Sequence, residues 1–399
     1  MNRQTQDAYI VGAVRTPVGK APRGVFSATR PDDMLAHVLS GLMEKFPALP
    51  PAQIEDVIVG CAMPEAEQGY NVARIGILLA GLPESVPGVT INRFCSSGLQ
   101  AVAMAADRIR LGEADVMIAA GTESMSLIPM GGHKLAVNPR VFEDENIAIA
   151  YGMGITAEKV AERWQVPRDQ QDAFALRSHQ RALSAQEKGV FDEEVVPYTV
   201  TRKSANLETG ETDTTSREVT QDEGPRADSS AEALGKLRSV FAARGTVTAG
   251  NSSQTSDGAA AVLLVSESAL KTYGLTPLAR FVGFAVAGVA PEVMGIGPVA
   301  AIPKVLEQTG VKQQQLDWIE LNEAFAAQSL AVINELGLDE EKVNPCGGAI
   351  ALGHPLGATG AVRTTTLVHG MRRGDARYGM VTMCIGTGMG AAGVFEAAA

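Results

Sequence analysis

The chain has 399 residues, 45% of them hydrophobic and 5% aromatic, enough for two or three packed units, which excludes a disordered tail or a fibre. Its 42 Gly and 20 Pro make up about a sixth of the residues, below the low-complexity range and without a collagen period. A formal charge of −11, from 45 acidic against 34 basic residues, speaks against a broad nucleic-acid-binding surface, so an anionic ligand must meet local positive groups.

The amino terminus, MNRQTQDAYIVGAVRTP, has no basic stretch leading into an apolar one, and the apolar run at 259–265 is far too short to cross a bilayer. The expectation is a cytoplasmic protein with neither membrane nor nucleic acid as a partner. Short apolar runs rich in β-branched residues occur at 8–14, 57–59, 116–120, 259–265 and 378–383, with helical stretches between them. This alternation predicts α/β layers with largely buried strands. A well-punctuated helix follows residue 96. Ser97 is placed to cap it, with Gln100 completing a capping box; Leu99, Val102, Ala103, Ala106 and Ile109 line one face, and Gly112 stands where it should stop.

From 125 to 247 the sequence changes character. A long helix with Pro167 in its first turn carries Phe174, Leu176 and Leu183, and a polar stretch crowded with Thr, Ser, Asp and Glu follows at 201–230. This reads as an inserted loop domain, most of it solvated surface. The two ends of the chain then share one plan. After Gly98 comes a helix, a turn at Gly112, a strand and Gly121; after Gly360 comes a helix, a turn at Gly374, a strand and Gly386. The resulting expectation is two related α/β halves, 1–124 with 248–272 and 273–399, with 125–247 inserted in the first.

Four cysteines, Cys61, Cys95, Cys346 and Cys384, are too few and scattered for a disulfide framework, and no C-x-x-C pair points to a metal, so each is read as a thiol. Cys95, in NRFCSSGLQ at 92–100, lies just before the capped helix. Free N–H groups and the macrodipole there would favour a nucleophilic thiolate, although free cysteines are more often buried and inert. His354, in GGAIALGHPLGATG at 347–360, is followed by proline and flanked by glycines, a setting for a base or an oxyanion donor. His37, His133, His179 and His369 lack it and read as surface or packing residues.

Cys384 precedes a glycine-rich turn, IGTGMG at 385–390, whose backbone N–H groups can face an oxyanion. A dinucleotide loop is excluded there, since only nine residues follow Gly390. Asn322, in NEAF at 322–325, falls between a strand and a helix and by itself reads as a cap. The loop GNSSQTSDG at 250–258 reads as turn chemistry before a buried strand.

Taken in order, the segments at 92–100, 250–258, 322–325, 353–360 and 384–390 resemble the thiolase family, and the resemblance spans nearly the whole chain. RFCSSG at 93–98, QDEG at 221–224 and MGIGP at 294–298 resemble its degradative 3-ketoacyl-CoA branch. The resemblance implies two halves stacked as α-β-α-β-α layers. It also implies an acyltransferase that cleaves 3-ketoacyl-CoA with free coenzyme A, in a ping-pong cycle through an acyl-cysteine, with no permanently bound cofactor and no metal. Cys95 would carry the acyl group, His354 would activate it, and Cys384 would exchange a proton at the α-carbon of acetyl-CoA. His354 with a water on Asn322 would form one oxyanion hole, and the N–H groups of Cys95 and Gly386 the other. Arg226 and Ser253 match positions near the nucleotide and pantetheine of coenzyme A, and Met153, Met294 and Phe325 match the walls of the thioester pocket.

Gly152 and Ala233 depart from the short-chain biosynthetic branch, which has histidine and serine there. These departures favour longer or more varied acyl chains. Other readings are a biosynthetic acetoacetyl-CoA thiolase, a 3-oxoadipyl-CoA thiolase, which would need a basic group in the acyl pocket, and a ketoacyl synthase, which would need a second placed histidine. A non-catalytic acyl-CoA-binding relative gives no reason to keep both Cys95 and Cys384. A homodimer or homotetramer is expected, with membership of a β-oxidation complex open.

Overall fold

The computed structural model describes residues 5–206 and 208–398. Twelve strands follow in chain order: β1 (Ala8–Arg15), β2 (Gly19–Lys20), β3 (Asp56–Gly60), β4 (Gly88–Ile91), β5 (Val116–Ser124), β6 (Tyr198–Ala205), β7 (Thr212–Val219), β8 (Ser256–Ser266), β9 (Ala279–Gly288), β10 (Leu316–Leu321), β11 (Tyr378–Ile385) and β12 (Met389–Ala397). The apolar runs read from the sequence all lie within strands. In β8 every residue is buried, as expected of a strand covered on both faces.

The strands pair in the order β10-β11-β12-β9-β1-β8-β5-β3-β4, with β2 on the side of β8. The outer pairs β10/β11, β3/β5 and β3/β4 are parallel, and the inner ones antiparallel. Between β1 and β9 only Tyr9 and Ile10 pair, with Arg280 and Ala279. That short seam divides the array into two sheets, and both lay a face on the helices Ser97–Arg110 and Leu356–Arg373 through Ile58, Met117, Leu264, Val381, Ile385 and Phe395. Helices Pro31–Glu44 and Val72–Leu79 cover the far face of the first sheet. Helices Gly297–Thr309 and Ala326–Leu336 cover the far face of the second. The stacking is therefore α-β-α-β-α, as expected. Among the described residues no helix is long and apolar enough to cross a membrane.

In the middle layer the two helices touch backbone to backbone. A Cβ on Gly98 would stand 2.5 Å from the nitrogen of Ala361, and one on Gly360 would overlap the nitrogen of Leu99. Residues 356–371 are all buried, so neither helix can retreat. Gly360→Ala should cost about 3 kcal/mol through this forced separation. Calorimetry should show a clearly lowered melting temperature, and an unchanged one would contradict the close-contact argument.

Two local expectations are corrected. The helix begins at Ser97 itself, and the Ser97 hydroxyl does not cap it. That hydroxyl accepts from the Arg93 N–H (2.8 Å) and donates to the Phe94 carbonyl (2.7 Å), while Gln100 accepts from the Arg93 guanidinium (2.8 Å). The capping-box residues thus build the preceding turn. The polar stretch at 201–230 is only partly free surface. Its hairpin β6–β7 is exposed, but Asp222 beyond it is buried, accepts from the Arg15 guanidinium (2.6 Å) and holds the Val18 N–H (2.8 Å). Arg15 also meets Glu194 at 2.7 Å.

Candidate active site

Cys95 sits in a single 3-10 turn, Phe94–Ser96, between β4 and the first central helix. Phe94 holds a left-handed φ of 44°, which Asn92 supports by accepting its N–H at 2.8 Å. The thiol is 9% exposed. Burial pushes it up to about 11, against the opposing pull of the N–H groups of Gly386 and of Cys95 itself. This corrects the expectation of a helix-stabilised thiolate. The resting group is a neutral thiol with two backbone donors beside its sulfur.

Gly386 ends the turn-forming edge of β11, and Phe94 and Met153 flank it within 4 Å of where its Cβ would lie. Two residues earlier, Cys384 is fully buried. It lies among Met153, Ala157, Val247, Met294, Ala324 and Phe325. Its thiol is pushed far up, by burial first and then by the neighbouring Cys95. Among the described residues one side chain bonds its sulfur: Gln328, whose Oε1 accepts from Sγ at 3.8 Å.

His354 follows Gly353, whose φ of 97° and 2.5 Å approach to the Ser256 hydroxyl both exclude a side chain. The His354 N–H donates to that hydroxyl at 3.0 Å. Ring Nδ1 meets the Thr359 hydroxyl at 2.6 Å, and Nε2 meets the Asn322 amide nitrogen at 3.3 Å. With the amide donating, Nε2 is the free base and Nδ1 carries the proton toward Thr359. Burial, aided by the Arg363 charge, lowers the imidazole to about 3, so it is uncharged at neutral pH.

Asn322 leaves the end of β10, held by its N–H on the Thr382 carbonyl at 2.9 Å. It is no helix cap, since the next helix starts at Ala326. Its Oδ1 is buried and has no partner among the described residues. Such an acceptor beside an imidazole is a place for a water, which can donate to it.

Cys95 thus lies beside Cys384 and the Gly386 N–H, and NEAF, whose Asn322 meets the His354 imidazole, packs Ala324 and Phe325 against Cys384, so four segments build the site. The wall residues Met153, Met294 and Phe325 join them around Cys384, and the Ser253 N–H reaches the Ala324 carbonyl (2.9 Å) at the cluster's edge. Arg226 is not brought in. It is exposed and paired with Asp228 at 2.9 Å. Of the other histidines, His179 accepts from the Arg226 N–H (3.3 Å), His369 donates to the Ala13 carbonyl (2.9 Å) and His37 packs on Tyr198.

Sequence reasoning missed the buried carboxylates that brace this arrangement. Glu123 accepts from Ala62 (2.7 Å), Met63 (3.2 Å), Gly357 (2.8 Å) and the Gln68 amide, tying the end of β5 to the start of the helix that follows His354. Glu323 accepts from Ser178 (2.6 Å), Asn344 (2.8 Å) and the Ile350 N–H (3.2 Å), joining NEAF to GGAIALGH. Glu323 lay inside a motif already singled out; Glu123 carried no local signal.

The chain matches the family models "Thiolase, N-terminal domain" over residues 8–268 and "Thiolase, C-terminal domain" over residues 275–397. It is 52% identical over 395 residues to the 3-ketoacyl-CoA thiolase of Bacillus subtilis, covering 98% of this chain and 99% of that one. It is 46% identical over 413 residues to the beta-ketoadipyl-CoA thiolase of Pseudomonas aeruginosa, covering 98% and 99%. A crystal structure of the Bacillus anthracis acetyl-CoA acetyltransferase superposes with a TM-score of 0.89 at 40% identity, over 100% of both chains.

Proposed function

The chain belongs to the thiolase family and is an acyltransferase, and from that premise we propose that it cleaves 3-ketoacyl-CoA with free coenzyme A to acetyl-CoA and a shortened acyl-CoA. The observation that carries this reading is a pair of differently housed thiols side by side, with the segment packed on Cys384 presenting Asn322 to one uncharged imidazole. His354 Nε2 takes the proton of Cys95, and the sulfur attacks the 3-keto carbon. The Gly386 and Cys95 N–H groups, and the Asn322–His354 pair, face the oxyanions of the two half-reactions. The C2–C3 bond breaks, Cys384 gives its proton to the departing acetyl-CoA carbanion, and the acyl group stays on Cys95. Coenzyme A then loses its thiol proton and attacks the acyl-cysteine, so that shortened acyl-CoA leaves and both cysteines are again protonated.

The degradative branch is supported by the 52% identity to the 3-ketoacyl-CoA thiolase. It is also supported by Gly152, around whose Cβ position nothing lies within 4 Å, next to Met153 in the wall. Thiolysis measured on 3-ketoacyl-CoA of four to sixteen carbons tests it. Turnover should persist or rise with length, with acylated Cys95 found by mass analysis. Activity confined to acetoacetyl-CoA would move the chain to the biosynthetic branch, and preference for a carboxylate-ended chain to the beta-ketoadipyl one.

Thr359 offers a smaller test. Thr359→Val keeps the shape but removes the acceptor of the Nδ1 proton, so the ring loses its preferred tautomer. Turnover should fall roughly tenfold, while Thr359→Ser stays near the unaltered rate. Equal rates in all three would remove Thr359 from this role.

A further inference from the structure

Gln328 lies in the first turn of the helix Ala326–Leu336 and is fully buried. Its Oε1 accepts from the Phe325 N–H at 3.3 Å. A backbone N–H only donates, so this contact fixes which amide atom faces it. The same Oε1 is the atom 3.8 Å from Cys384 Sγ, and therefore the thiol must be the donor. The Nε2 end of the amide is buried with no partner among the described residues. An orphaned buried amide N–H₂ is costly to keep, a cost that an alanine or leucine at this position would avoid. Apolar side chains, Met153, Met294, Ala324 and Phe325, pack around the sulfur, and the Cys95 thiol stands beside it.

We propose that Gln328 is a positioning residue for proton transfer by Cys384: its Oε1 fixes the direction of the S–H bond, and its Nε2 is the donor that meets negative charge formed in the same pocket. This rests on the thiolase reading above and deepens it. Among the described residues no other group accepts the S–H of Cys384. A free S–H samples every direction about the C–S bond, whereas one held on a fixed acceptor leaves the sulfur lone pairs in a fixed direction. When the proton has passed to the carbanion, the sulfur is left negative among apolar side chains, and the unpartnered N–H₂ is the polar group of the Gln328 side chain that can turn to it. Gln328 touches no acyl group in this scheme and does not serve Cys95.

Two reactions of acetyl-CoA separate these roles. Exchange of its α-protons with deuterated solvent needs Cys384, while exchange of its acetyl group between coenzyme A molecules needs Cys95 and His354 but breaks no C–H bond. Gln328→Met, which keeps an unbranched chain of similar length, should slow α-proton exchange and thiolysis roughly 10- to 100-fold, with KM unchanged and acetyl exchange within about twofold. Gln328→Glu keeps an oxygen acceptor and should recover α-proton exchange at low pH, where the carboxyl is neutral, losing it as the carboxyl ionises and opposes the thiolate.

If Gln328→Met leaves α-proton exchange unchanged, the proposal is overturned while the thiolase reading stands. Equal slowing of both exchanges overturns it too, because the side chain would then be supporting the fold. Absence of α-proton exchange in the unaltered enzyme overturns the thiolase reading and this proposal together.

Discussion

Replacing Cys95 with serine should abolish thiolysis, by on the order of 10⁴-fold or more, while leaving the fold intact. The side chain is small and nearly enclosed, so exchanging sulfur for oxygen leaves the packing in place. The chemistry does not survive the exchange. The Cys95 thiol already stands at about 11, and a hydroxyl gives up its proton far less readily to a base held near 3. Sulfur is also the softer nucleophile and the better leaving group in the second half-reaction. The expected record is an unchanged melting temperature, no measurable thiolysis and no mass increase on incubation with acetyl-CoA. Ordinary turnover in the variant would remove Cys95 from the nucleophile's role.

The same residue shows where sequence reasoning met its limit. A cysteine before a helix invites the macrodipole argument, which offers roughly 0.3–2 kcal/mol. Burial displaces the thiol from 9.0 to about 11, roughly 3 kcal/mol against the anion, so burial outweighs the dipole. How deeply a side chain is enclosed depends on both sheets and on Gly386, 291 residues away in the chain (386 − 95). Strands were legible because continuous apolar runs are a local property. Cys95, His354 and Cys384 were singled out by local surroundings, a helix start after the first, glycines and a proline around the second and a glycine-rich turn after the third, and their roles came from the thiolase resemblance.

Asn322 was less so, since a polar residue between strand and helix is ordinarily a cap, and only the position of His354 gives it another use. Glu123 and Glu194 could not be read at all, and Asp222 stood within QDEG, a motif singled out without its contact to Arg15. Their partners lie 61, 179 and 207 residues distant, and a charged residue in a polar stretch looks like solvated surface until its partner is placed. The Ser97 hydroxyl failed as a cap for a related reason: the tight turn at Phe94 uses it first.

Cys384→Ala should separate the two thiols in the opposite sense. Both are buried, but their surroundings differ in kind. Cys95 has two backbone N–H groups beside its sulfur, which favour an anion and then the oxyanion of an attached acyl group. Cys384 has apolar side chains, the Cys95 thiol and one amide oxygen around it and its own N–H as the one backbone donor, so burial favours the neutral thiol and leaves an anion poorly held. A group so housed carries a proton well and attacks poorly. Alanine at this position removes only the sulfur, so Cys95 and His354 should still take an acetyl group from acetyl-CoA and return it to free coenzyme A. Thiolysis of 3-ketoacyl-CoA and α-proton exchange should both fall by roughly 10³-fold or more, because the thiol that moves the α-proton is gone and its thiol neighbour Cys95 is the group that takes the acyl chain. Mass analysis should find acetylated Cys95 in Cys384→Ala and none in Cys95→Ser. The reverse pattern, with acylation lost in the alanine variant and kept in the serine one, would exchange the roles of the two cysteines.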